Sequence, residues 1–568
     1  MTKAMKQLIK YSCLVMLIYL TALSAMAKVF TIDVSTAKGE LTQYLRERCK
    51  AATRSDTILL NIPKGEYTLN GTVEFKSNVV IKGAGTDEST IVLNNGNDSE
   101  EFKAFTDDTF LMFHGKLDYP ISVGISDLTI KLMEHKGIWW HDANKTSEKL
   151  AVKIYHANHV DIHHVNSYLS HAIITNYDLR VCSNVSITDC IISNYNNDIT
   201  GGNLWIRGET HNVTIKRNRF YKYGNDEAFS LFGNVTNTNG YVNGNISRTD
   251  ISIEDNEFHY GYDGKDKVSN VVNNTLLTVE SDKRWMTTTQ NLTFKNNKFY
   301  INDECHRCFR VKFFENDNHQ NICFNNNQIV NENLHSENRY YRYDFEIIDK
   351  SEIQDTIRII NNNVINKNSV LNSSKTNGYS FLFLHGGNID MTGNKIVSTI
   401  TTDPITGKNT GVQLVWCGAE GGVVIMRNNV CKGVMCISTV GEAGGTKHFT
   451  LNASNNHFTG NTRVYCHKID RLDLNFTGNT LVSNNTNFFL QEFANKGTVT
   501  FNNNDVTVKS GDGRLMTHWS NGSTDAMRFE RLEVNNNIFR GMKGEKDMLK
   551  YFNNVGKRKV KNNTYLPE

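Results

Sequence analysis

Proline is nearly missing from this chain, 4 in 568 residues, so little interrupts strand pairing, and Pro-rich stalks or linkers are excluded. An excess of either charge is missing too. Lys and Arg number 62 against 59 Asp and Glu, a formal charge of +3, which gives no electrostatic footprint for nucleic acid or an acidic membrane surface. After residue 27 no apolar run is long enough to span a bilayer. The one hydrophobic stretch, Leu14 to Leu23, follows Lys3, Lys6 and Lys10 and precedes Ala25-Met26-Ala27. That order predicts a secretory signal over 1–27 and a mature chain from Lys28 that does not insert in a membrane and resides in a periplasm, on a cell surface or outside. An uncleaved anchor is the competing reading. Also lacking is a second cysteine pair to make Cys305-His306-Arg307-Cys308 a zinc or redox motif. These cysteines, with Cys190, Cys323, Cys436 and Cys466 inside apolar strands, are expected to be buried hydrophobes or a local disulfide.

Asparagine is what the chain has in abundance, 73 residues, and it recurs at fixed places. The stretch from Asn212 to Gly233 shows the unit: an alternating strand (Val213, Ile215), then Asn218 two residues before Phe220, a polar turn, and a second apolar strand (Phe229, Leu231). The same marker returns at Asn256, Asn297, Asn327, Asn363, Asn394, Asn429, Asn456, Asn479, Asn504 and Asn537, at spacings of about 23 to 41 residues. Period-two strands punctuated by one polar turn residue are the repeat of a parallel β-helix. Asn suits that turn because its amide bonds backbone groups, tolerates the left-handed conformation and can stack on its copy in the next coil. Roughly 14 coils at about 4.8 Å would make a rod of about 65 to 70 Å, right-handed by the usual crossover preference. A stacked repeat grows in one dimension, so 28–568 is expected to be a single all-β domain. Leu41, Tyr44, Leu45 and Cys49 lie on one helical face, predicting a capping helix within an N-terminal cap over 28–57. The interval 95–150 is the least regular and is expected to carry loops.

The opening from Ile58 to Asn94, with GEYTL, SNVVIKGAG and STIVLN, resembles the start of the pectin-lyase-like superfamily of right-handed β-helices. The later ladder is similar over nearly all the mature chain. That resemblance implies the fold and leaves the reaction open, because lyases, hydrolases, esterases, tailspikes and adhesins share it.

Chemistry on such a rod must use outward strand residues and adjoining loops. Outward positions of successive coils gather Trp205 and Arg207, then Asp226, Glu227 and Ser230, then Thr278 and Glu280, then Arg310 and Lys312, then Glu346. Asp226, Glu227, Glu280, Arg310 and Lys312 are the candidate catalytic groups. Trp139, Trp140, Tyr155, His171, Trp205, Arg207 and Glu346 are the candidate substrate contacts. The ladder beyond them, FLFLHGG (381–387) and VQLVWCG (412–418), offers little that titrates.

Two reactions fit. Elimination from a uronic acid needs a base and positive charge at the carboxylate; Arg310 and Lys312 supply charge, and Asn225, Asp226 and Glu227 could hold a Ca²⁺. Glycoside hydrolysis needs two carboxyl groups across the bond, drawn from Asp198, Asp226, Glu227 and Glu280. The run NDEAFSLFG is similar to a motif of the alginate lyase and chondroitinase B family: Asn225, Glu227 and Ser230 match, whereas Phe232 stands where that family's Lys would be and Leu277-Thr278-Val279 replaces its Arg-His. Asp226-Glu227 also resembles the paired acids of polygalacturonases, and Arg310-Val311-Lys312 is loosely similar to their Arg-Ile-Lys. The reading is an exported protein that cleaves a polysaccharide, one carrying acidic sugars. The alternative is a rod without catalysis, a glycan-binding, adhesin or structural surface protein whose outward charges merely pair. The histidines His156, His159, His163, His164 and His171 are irregularly spaced, which suits solvated turns better than a metal site.

Overall fold

The computed structural model describes residues 27–37, 39–94, 109–133, 150–170, 175–196, 202–224, 227–232, 245–261, 275–302, 307–332, 342–367, 379–398, 413–433, 436–439, 446–460, 463–465, 469–483, 489–491, 494–509, 515–517, 529–549, 552 and 555–567. Alternating apolar residues turn every other side chain of each short strand to one side, and the strands bury that side by winding into a right-handed parallel β-helix. Each coil contributes to three columns of parallel strands. In one turn, 210–216 lies in the first column, Arg219–Gly224 in the second, and Phe229–Phe232 in the third, before Asn245–Glu254 returns to the first. The enclosed core is aliphatic and aromatic, with stacked runs such as Phe220, Phe258 and Phe299 at centroid spacings of 4.7 and 5.0 Å.

From Asn218 onward the marker asparagines form one corner of the coils. Asn218, Asn256, Asn297, Asn327, Asn362, Asn394, Asn429, Asn456, Asn479, Asn504, Asn537 and Asn563 form one ladder. The backbone N–H and side-chain Nδ2 of each donate to Oδ1 of the next, as Asn218 does to Asn256 at 2.9 and 3.0 Å. The second Nδ2 proton goes to a backbone carbonyl, Ile187 for Asn218 at 2.8 Å. The residue before each rung is left-handed, with φ near +55° at Arg217, Asp255, Asn296, Asn326, Asn361, Asn428, Asn455, Asn503, Asn536 and Asn562 and glycine at 393 and 478. Asn and Gly are the residues that take this conformation at least cost. In the run Asn361-Asn362-Asn363 the rung is therefore Asn362, not Asn363 as the spacing suggested; Asn363 begins the following strand.

Seventeen parallel pairings join eighteen strands of the first column among the described residues, about 80 Å of stacking at ~4.8 Å a step. That exceeds the 14 coils expected, because the first coils lack the marker: Cys190 occupies the rung below Asn218 and accepts nothing through a side-chain amide. Residues 95–108 and 134–149 fall outside the described residues, yet Thr109–His114 and Ile121–Leu132 between them pair in register, so that interval is regular where it is described. A helix forms at Thr42–Cys49, where the apolar stripe predicted one. Leu41 and Leu45 enter the core, the Glu40 carboxylate accepts from Thr42 N at 2.8 Å, and the helix packs on Val73–Phe75. No helix among the described residues is long and apolar enough to cross a membrane. Cys182, Cys190, Cys308, Cys417 and Cys431 are buried, and burial pushes the Cys190 thiol up to about 12, the behaviour of an inert core cysteine.

Candidate functional site

The third column aligns the outward side chains into two rows. Register sets Lys153, Asp178, Trp205, Ser230, Thr278, Arg310, Glu346, Phe383 and Trp416 side by side in successive coils. Two residues further along each strand a second row holds Tyr155, Arg180, Arg207, Phe232, Glu280 and Lys312. Their neighbours Leu277, Val279, Phe309, Val311, Phe345 and Ile347 point into the core, so alternation puts the polar residues on the outer face.

Ion pairs organise both ends of this face. Asp178 is wholly buried; Arg180 donates to it through Nε and Nη2 at 2.9 and 2.7 Å, and Arg207 Nε lies 3.2 Å from its other oxygen. The Arg207 guanidinium rests 4.1 Å from the Trp205 ring centroid, and Arg180 and Lys153 stand 5.3 and 5.1 Å from that of Tyr155, cation–π geometry strengthened by burial. Further along, Lys312 Nζ is 2.7 Å from Glu280 and Arg310 Nη1 is 3.6 Å from it, while Arg310 Nε and Arg307 Nε approach Glu346 at 3.3 and 2.5 Å. Arg310 thus bridges two carboxylates. Beneath, the buried Arg248 donates to the Leu231 and Glu280 carbonyls at 2.9 and 3.1 Å and so ties two neighbouring strands of the column together; burial pulls its guanidinium down to about 10, still charged at neutral pH.

Between these clusters lies a less satisfied patch. Thr278 Oγ1 donates to Glu227 Oε1 at 3.1 Å. Beside it Trp205 Nε1 and Ser230 Oγ, both buried, have no hydrogen-bond partner among the described residues. An unpaired buried donor costs about 1–3 kcal/mol, so acceptors on a ligand could satisfy these two atoms of one row. Gly202 makes room for this arrangement: a Cβ there would stand 2.5 Å from Trp205 Nε1 and 2.6 Å from the Glu227 carbonyl oxygen. Gly202→Ala is expected to lower stability by about 1–3 kcal/mol, the usual penalty for overpacking, read as a lower urea midpoint together with altered tryptophan fluorescence.

Next to Glu346 the row becomes aromatic. Tyr343 and Phe383 stack at 4.9 Å, and Trp416 closes on Phe383 at 5.3 Å and on Tyr343 at 5.7 Å. The sequence pattern passed over Phe383 and Trp416 as bland, and over Lys153, Asp178, Arg180 and Arg307 altogether. Period-two alternation in 379–385 and 413–417 was the signal that they face outward. The expected residues Tyr155, Trp205, Arg207, Glu227, Glu280, Arg310, Lys312 and Glu346 do share one face. Trp139, Trp140, His171, Asp198, Asn225 and Asp226 lie outside the described residues, and with Asn225 and Asp226 so does the Ca²⁺ site expected there.

No protein-family model matches the chain. No curated protein matches it either. Among solved structures it is similar to the catalytic domain of a GH87 alpha-1,3-glucanase in complex with nigerose, at 13% identity and a TM-score of 0.41, covering 74% of this chain and 67% of that one. It is also similar to DFA-IIIase from Arthrobacter chlorophenolicus A6 in complex with GF2, at 10% identity and a TM-score of 0.44, covering 70% and 93%. Likenesses this distant do not say which reaction the chain performs.

Proposed function

We propose that the third-column face binds a polysaccharide and hydrolyses it, with Glu227 and Glu280 as the carboxyl pair. The observation that carries this reading is the bond from Thr278 to Glu227. Thr278 and Glu280 are successive outward residues of one strand, about 6.6 Å apart along it. In this reading the Glu227 carboxyl, held at Thr278, and the Glu280 carboxyl flank the scissile bond with the roughly 6.5–9.5 Å between them that an inverting glycosidase needs for its water molecule. Glu227 gives its proton to the glycosidic oxygen as the bond to the anomeric carbon breaks. Glu280, ion-paired with Lys312, takes a proton from the water that attacks from the opposite side. Trp205 Nε1 and Ser230 Oγ donate to sugar oxygens, and the arginines and lysine of the face favour acidic sugars. The signal-like leader supports export.

A panel of acidic and neutral polysaccharides tests this. New reducing ends without the ultraviolet absorbance of an unsaturated uronate are expected; absorbance rising with reducing ends would mean elimination, and neither would mean a non-catalytic rod. The aromatic platform should act as a sugar-stacking subsite. Trp416→Ala is expected to raise KM about tenfold, since stacked aromatic contacts are worth about 0.5–1.5 kcal/mol beyond their buried area, with kcat little changed.

A further inference from the structure

We propose that Asp127, His163 and His164 form a binding site for a divalent transition metal, Zn²⁺ or a similar ion, on the turn between the first and second columns. The three residues come from two adjacent coils. Asp127 and His164 occupy the left-handed turn position, with φ of 58° and 51°, where the next coils place Asp189, Arg217 and Asp255 and the later ones asparagine or glycine. His163 precedes His164 at the end of its first-column segment. His163 Nδ1 and His164 Nδ1 are 3.2 Å apart, His164 Nδ1 is 3.6 Å from Asp127 Oδ1, and one ligand atom from each residue lies within 4.8 Å of the others.

These separations suit a metal. Donors at about 2.0–2.1 Å from a tetrahedral Zn²⁺ sit about 3.3–3.4 Å from one another, so small side-chain rotations bring all three onto one ion. Two imidazoles and one carboxylate are a donor set for zinc or iron rather than calcium. Asp161 Oδ2 stands 3.8 Å from His163 Nε2, where it can take the second ring proton and orient the imidazole, the outer carboxylate that metal-bound histidines usually have. All three residues remain solvent-accessible, leaving the fourth position open. An adjoining groove of about 370 Å³, lined by Ser122, Ser126, His159, Asp161 and His163, leads to it. A ligand in that groove with an anionic oxygen would complete the coordination.

Titration calorimetry of the metal-stripped, untagged chain with ZnCl₂, with CaCl₂ as control, tests the site. One equivalent of Zn²⁺ with a rise in melting temperature is expected, and no comparable Ca²⁺ binding. Asp127→Asn and His164→Asn keep a residue that tolerates the left-handed turn, so the metal-free melting temperature should stay close to that of the parent. Each should weaken Zn²⁺ at least tenfold, and Asp161→Asn about ten- to a hundredfold. His163→Gln, outside the left-handed position, serves if either turn variant fails to fold. No zinc binding by the parent, or equal binding by the folded variants, would overturn the proposal.

Discussion

Glu227→Gln is expected to lower kcat by about 10²–10⁴-fold, the usual contribution of a positioned general acid, while the melting temperature changes little. Glutamine keeps the oxygen that accepts from Thr278 Oγ1 and loses only the proton it would deliver. Glu280→Gln should fall in the same range through loss of the base. Because the two groups serve one bond-breaking event, the double variant should be far less impaired than the product of the single losses predicts. The competing account is simple charge pairing. Glu280 and Glu346 each touch two cations through Arg310, Lys312 and Arg307, and a purely structural network would register the loss of Glu280 in the melting curve and nowhere else. Steady-state kinetics beside thermal melts separate the two: unchanged kcat in Glu227→Gln would remove it from the chemistry.

Asn429→Ala should cost about 3–4 kcal/mol. The Asn429 side chain donates to the Met391 carbonyl and to Asn456 Oδ1, both at 2.8 Å, and accepts from Asn394 N and Nδ2 at 2.8 and 3.0 Å. Four buried hydrogen bonds disappear at a net of about 1 kcal/mol each, and the stranded partners stay out of reach of water. Asn428→Gly next door is the control. Its φ of 55° suits glycine, so the expected change is under about 1 kcal/mol. Stability in a solenoid is a sum of coil and neighbour terms, so hydrogen exchange should quicken first in the coils around 388–398 and 422–432. Uniform loss over the whole rod, or equal effects of the two substitutions, would contradict the ladder as the local determinant.

The fold was readable because one turn geometry repeats. Every coil must satisfy the same orphaned backbone groups at the same corner, and Asn does so at Asn218 and again at Asn256 and Asn297, so the solution appears in the sequence as a period. Where a coil solves the corner differently, as with Cys190, the period vanishes and coils go uncounted. Where asparagines run together, as at 361–363, composition cannot say which one turns inward. The third-column face was legible from Trp205 to Glu346 for the same reason: a regular coil fixes which residues align. Asp178 and Arg180 were not, because their strand, Thr175–Thr188, runs through two columns without a visible turn. Phe383 and Trp416 hid behind their own hydrophobicity, since an outward aromatic in a strand looks like a core residue until the register is known. The grouping of Asp127 with His163 and His164 was not legible because Asp127 lies 36 residues before His163, and only stacking brings them together.

Proton NMR of the first-formed products, recorded before mutarotation on whichever polysaccharide the panel identifies, tests the placement of Glu227 and Glu280 most directly. A water molecule held between carboxyl groups about 6.5–9.5 Å apart attacks from the far side of the ring, so the newly released anomeric centre should have inverted configuration. Retained configuration would require a carboxylate close enough to attack the sugar itself and would contradict this arrangement of the face.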